Sequence, residues 1–245
     1  MKFTYYLLFF CLVLSLILYR LFPQVLPCAS VSWGNFREVA EGVFIENPAN
    51  EADIEQLMSN ISSAKARIKF FWGKKQGKAT IILCKNESTY QYLSKSTQGA
   101  AFSVGTPIHS WIILNNKDGN NTDVIAHEMC HDELMTELGW WTSKRKVPTW
   151  FDEGLALMFD YRFVSATDSL SRFQEYENEV NLSVKEDLTL ERISTRQGFF
   201  ETDGNSVRGA YFLSGMMISG KIARYGKKNI FKTIEILKKE DKFEF

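Results

Sequence analysis

Neither sign of charge is in excess: Lys plus Arg number 29 and Asp plus Glu number 29, for a formal net charge of zero. Without a basic, aromatic-interleaved patch the chain lacks what a polyanion partner requires, which excludes nucleic acid. Internal repeats and low-complexity tracts are missing too, and with them any repeat architecture. Cysteine is sparse, at 4 residues. Cys11 sits in an apolar run and Cys130 in a helical stretch, so Cys28 and Cys84 are the one candidate disulfide pair. Histidine is scarcer still: of 3 in the chain, two fall within five consecutive residues.

Those five are His127-Glu128-Met129-Cys130-His131. Histidines four apart on a helix stand about 40° apart around its axis, one turn above the other, so both imidazoles can reach one metal ion. Glu128 is rotated by about 100°, beside the metal rather than on it. A carboxylate there can take a proton from a water that the metal activates. The helix is well specified: Asn120, Asn121, Thr122 and Asp123 offer cap side chains and Gly139 can close the end. Cys130 reads as a packed helix-interior residue rather than a ligand.

A catalytic zinc site takes a third protein ligand. Pro148 followed by an apolar-periodic run predicts a second helix, and Glu153 falls in its first turns. The loop between is long enough for that helix to return antiparallel. A metzincin would need Gly and His where this chain has Leu134 and Glu137, and Glu137 points away around the helix, so that alternative fails.

With HExxH and Trp150-Phe151-Asp152-Glu153-Gly154-Leu155-Ala156 together, the chain resembles the gluzincin zinc metallopeptidases, whose second motif is W-x-x-E-G-x-A. The likeness is close over residues 123–160 and loose over 78–225. It implies Zn²⁺ on His127, His131 and Glu153, with Glu128 as general base and a peptide or protein as substrate. Tyr211, well after the Glu ligand, resembles the family's oxyanion donor; His109 is the other candidate donor, or merely a polar strand end. The family's Asp one turn past the Glu ligand is Leu157 here, which leaves Asp152 and Asp160 as alternative supports for the histidines. The Gly-x-Met-x-Asn exopeptidase pattern is absent, so amino-terminal trimming has no support. A zinc-bearing binding or assembly protein of the same fold, without turnover, is the alternative function.

The length suits one ample domain or a small two-lobed one, and 45% apolar content supplies its core. The expected fold is α+β and zincin-like: a small mixed sheet whose edge strand lies over the HExxH helix, then a helical C-terminal lobe. Trp111–Leu114 is the candidate edge strand, to which a substrate backbone would add. Phe36–Glu46 reads as one strand, residues 49–71 as an amphipathic helix, and residues 198–208 as a loop.

Residues 3–19 are almost wholly apolar, between Lys2 and Arg20, and would span about 25 Å as a helix. They read as a single-pass membrane anchor or as a cleaved signal peptide, and either places the rest outside the cytoplasm. The expected organisation is an anchor or signal at 1–21, a tether at 22–35 and the catalytic domain at 36–245.

Overall fold

The computed structural model describes residues 5–6, 9–10, 20, 22–97, 99–183, 188–201, 204–240 and 242–245. In chain order the elements are α1 (Val25–Ala29), β1 (Phe36–Ala40), β2 (Val43–Glu46), α2 (Glu51–Trp72), β3 (Thr80–Cys84) and α3 (Glu87–Ser94). Next come β4 (Ala101–Gly105), β5 (Ser110–Asn115), α4 (Thr122–Leu138), α5 (Trp140–Lys146) and α6 (Thr149–Ala156). Helices alone follow: α7 (Ser169–Ser183), α8 (Arg196–Phe200), α9 (Gly204–Tyr225) and α10 (Lys227–Glu240), with short 3-10 turns between elements.

Local chemistry sets the boundaries. Gly42 adopts φ 69°, a conformation β-branched residues resist, and reverses the chain. The single strand expected at Phe36–Glu46 is therefore an antiparallel hairpin of β1 and β2. Helix α2 starts on a reciprocal capping box between Asn50 and Asp53. The expected loop at 198–208 instead contains the end of α8 and the start of α9.

The five strands run in the order β1-β2-β3-β5-β4. The two inner pairings are parallel and the two outer ones antiparallel, so the sheet is mixed and the class is α+β. On one face, Ile81, Leu83, Ile112 and Leu114 pack with α2 and α4. On the other, Ile82, Cys84, Trp111 and Ile113 pack with Cys28 and Val31, so part of the expected tether is folded onto the sheet. Cys28 and Cys84 share this second cluster as free thiols, not as a disulfide, and burial pushes the Cys28 thiol up to about 12.

Two expectations are corrected. Trp111–Leu114 is not an edge: β5 lies between β3 and β4, buried on both faces, and β4 is the free edge on that side of the sheet. Four consecutive apolar residues fit a strand covered on both sides, where an edge strand facing solvent alternates. The membrane anchor, the membrane as a partner and the anchored location are also overturned. Among the described residues no helix is long and apolar enough to cross a membrane. Most of residues 3–19 lie outside the described residues.

One buried carboxylate ties the sheet to α3. Glu46 is only 4% exposed and accepts from Lys85 N, Asn86 N, Asn86 Nδ2 and Thr89 Oγ1. Burial pushes its pKa up, but the donors from Thr89, Asn86 and Lys85 outweigh this and hold it below the ordinary Glu value. Its folded-state pKa is thus lower than its unfolded one, so it contributes stability above about pH 4.3 that is lost as pH falls through the folded value. Glu46→Gln should cost about 3 kcal/mol at neutral pH in denaturant titration, since Gln brings a donor among donors. The gap to wild type should narrow below about pH 4.

Candidate metal centre

Helix α4 begins where Asn121 accepts from Val124 N at 2.9 Å, and Arg67 of α2 pairs with Asp123 in its first turn. Two buried acids fasten it further on. Asp132 accepts from Ser110 Oγ (2.6 Å) and Ala79 N (3.0 Å), and Glu133 accepts from Gln76 N and Gly77 N. A Cβ at Gly77 would lie 2.2 Å from Asp132 Oδ2, so only glycine lets the strand β3 approach run this close to the helix. These attachments fix α4 against the sheet with one face turned toward β4.

That face carries the two histidines, with ring centroids 4.9 Å apart. Glu153, in α6, brings a single oxygen to both: Oε2 lies 3.3 Å from His127 Nε2 and 3.8 Å from His131 Nε2. Two atoms each about 2.1 Å from a common tetrahedral centre stand about 3.4 Å apart, close to these two separations. His127, His131 and Glu153 offer one donor atom each, all within 4.8 Å of one another, and could hold a metal ion.

The outer nitrogen of each imidazole faces a carboxylate. His131 Nδ1 hydrogen-bonds Asp152 Oδ1 at 2.7 Å. His127 Nδ1 points at Asp160 Oδ2 from 3.6 Å, beyond a good hydrogen bond, and among the described residues it has no hydrogen-bond partner. Asp160 is fully buried and is gripped by Arg162 through Nε (2.9 Å) and Nη2 (2.6 Å). The two alternative supports thus each face a different histidine.

The local field is strongly negative. Burial pushes the His127 imidazole down, yet the Asp160, Glu153 and Glu128 carboxylates outweigh it and raise the pKa to about 10. His131 is raised likewise, with Asp152 the strongest opponent of burial. Asp160 is raised by burial but held well below the carboxylate range by His127 and Arg162. Four carboxylates converge on two imidazoles, an arrangement that favours a divalent cation, which would offset part of the charge. Asp160→Asn should weaken metal affinity about 10–100-fold by competitive chelator titration, because a neutral amide no longer sets its charge against His127, and it should also lower stability by loosening the Arg162 pair.

Glu128 stands beside this group, partly exposed, and accepts from Ser103 Oγ on β4 through Oε2. Both line a cleft of about 500 Å³ that runs along β4 and includes the three converging residues, Arg196, Lys144 and Tyr211. Tyr211 arrives on α9, whose crossing of α6 depends on Gly154: a Cβ there would lie 2.6 Å from Ser214 O. The Gly of the Glu153-Gly154 pair therefore serves helix packing. Burial pushes the Tyr211 phenol well up, and Glu153 and Glu128 push it further, so it stays protonated and can donate. His109 is elsewhere, bonded to Thr80 Oγ1 at 2.9 Å in the β4–β5 turn, and does not line the cleft.

The residues that sequence reasoning missed are Ser103, Asp132, Glu133 and Arg162. Ser103 comes from a strand and Arg162 from a loop, while Asp132 and Glu133 lie on α4 itself and are marked only by the partners they meet there. Comparison with protein-family models, with curated proteins and with solved structures finds no match for this chain.

Proposed function

We propose that this chain is a zinc-dependent peptidase of the gluzincin type, with His127 Nε2, His131 Nε2 and Glu153 as the protein ligands and a zincin-like fold. One observation carries the reading: three donor atoms converge within 4.8 Å beside Glu128, at the free edge of a sheet. When bound, zinc lowers the pKa of a water toward ~7 and polarises a carbonyl.

The remaining work falls to the chain. Glu128 takes the proton of the attacking water on a carboxylate oxygen and delivers it to the leaving amine. Ser103 Oγ holds Glu128 Oε2, which leaves Oε1 as the accepting atom. The Tyr211 hydroxyl donates to the carbonyl oxygen as it gains charge, a contribution of about 2.7–4 kcal/mol for a fixed donor. The outward N–H and C=O groups of β4 bind the substrate backbone as an added strand.

The test is hydrolysis of a defined peptide mixture by the purified chain, before and after chelation. Activity should vanish with the chelator and return with zinc. Tyr211→Phe should lower kcat about 100-fold with zinc content unchanged. Hydrolysis that persists in the metal-free protein would overturn the reading.

A further inference from the structure

The free edge of β4 is not free along its whole length. Asn115 N donates to Ala100 O and Thr106 N to His109 O, which fixes the alternation across the antiparallel β4–β5 pair. By that alternation Phe102 and Val104 bond to β5, while Ala101, Ser103 and Gly105 turn their N–H and C=O outward. At Gly105 the outward carbonyl is taken: Trp140 Nε1 donates to it at 2.8 Å. The Cα face is filled as well, for a Cβ there would meet Met135 Sδ at 2.4 Å. Trp140 is itself braced by Phe22 and Trp141, at centroid distances of 5.9 and 4.6 Å.

An added strand can therefore pair with Ala101 and Ser103 and must stop before Gly105. Glu128 is bonded to Ser103, so the reacting bond lies near that register position. On the Gly105 side there is room for no more than about two residues of substrate, at about 3.3 Å each. Lys144 lies one helical turn beyond Trp140, on the same face of α5, and lines the cleft. Lys144 is exposed, and its ammonium acts on the nearby Asp152 carboxylate, whose pKa it helps to lower. A terminal carboxylate would be attracted there and a terminal ammonium repelled.

We infer that the closed end of the cleft, formed by Trp140 on Gly105 with Lys144 beside it, receives the carboxyl terminus of the substrate, so that the chain removes one or two residues from the C-terminal end of peptides. This rests on the peptidase reading. The step is hydrolysis: the C–N bond breaks, the water oxygen bonds to the carbonyl carbon, and the proton that Glu128 carries passes to the amine. A shortened peptide and a free amino acid or dipeptide leave. The opposite end, past Ala101, is lined by Arg196 stacked 4.9 Å from the Phe200 ring.

The experiment uses the zinc-loaded full chain and three decapeptides: one with a free C-terminal carboxylate, its amide, and an amide ending in Glu. Mass spectrometry of the products should find the free acid shortened from its C-terminus by one or two residues at a time. The plain amide should be cut roughly tenfold more slowly, a difference expected of one charged contact. The Glu-terminated amide separates a side-chain carboxylate from a terminal one and should behave as the plain amide. Lys144→Ala should remove the acid preference through KM with little change in kcat, and Trp140→Ala should permit release of longer C-terminal fragments.

Binding gives a readout that does not need turnover. Zinc-loaded Glu128→Gln should bind a labelled tripeptide acid more tightly than its amide, by roughly tenfold, and Lys144→Ala in that background should abolish the difference. Equal binding of acid and amide, a preference that survives Lys144→Ala, or internal cuts in the amide at the rate of the acid would overturn the inference. Lys144-dependent selectivity without any hydrolysis would support the carboxylate site and remove the peptidase reading instead.

Discussion

Glu128→Gln is expected to lower hydrolysis by about 10²–10⁴-fold or more while zinc content stays at the wild-type level. Gln has the shape of Glu, and its carbonyl oxygen can still accept from Ser103 Oγ, so the side chain keeps its place against β4. Glu128 is not among the three converging donors and is partly exposed, so its neutralisation removes neither a ligand nor a buried ion pair. What disappears is the atom that accepts a proton from water. The measurement is kcat/KM on a peptide substrate beside metal analysis of the same sample. Full activity in zinc-loaded Glu128→Gln would sink the assigned role, and loss of zinc would make Glu128 a ligand.

The parts of the site that were legible in the sequence are those fixed by helix geometry alone. The spacing of His127 and His131 needs only a period of 3.6, and a capped, apolar-faced helix was readable from Asn121 to Gly139. Pro148 and the motif around Glu153 marked a second helix, and the fold brings that residue to the histidines. The mixed α+β class was readable as well, because Thr80–Cys84 and Ser110–Asn115 are strand-like by composition.

What was not legible depends on contacts distant in sequence. The four apolar residues Trp111–Leu114 signalled a strand covered on both faces, but which strand pairs outside it depends on residues distant in sequence, and β4 takes that place. Asp160 was a candidate support in the sequence, but its partner could not be assigned because the helix type changes before it. The run after Glu153 predicts continuous α-helix, but the chain tightens into a 3-10 turn at Leu157–Phe159 and leaves Asp160 facing His127. Asp132 and Glu133 look like a solvated helix face, yet they are 5% and 2% exposed, because the loop before β3 needs acceptors for its N–H groups. The apolar run at residues 3–19 was read by length and hydropathy alone, and the described residues supply no spanning helix.

Metal analysis of the purified chain, wild type beside Glu153→Ala, tests the central claim most directly. Glu153 supplies the one carboxylate among the three donors and is 8% exposed, so its removal leaves two neutral imidazoles to hold a divalent ion. That is one protein ligand short of a catalytic zinc site. The account predicts one zinc per wild-type chain and a content falling toward zero in Glu153→Ala, with far-UV circular dichroism unchanged in both. A wild-type chain that takes up no zinc, or a Glu153→Ala chain that holds it as tightly as wild type, would contradict it.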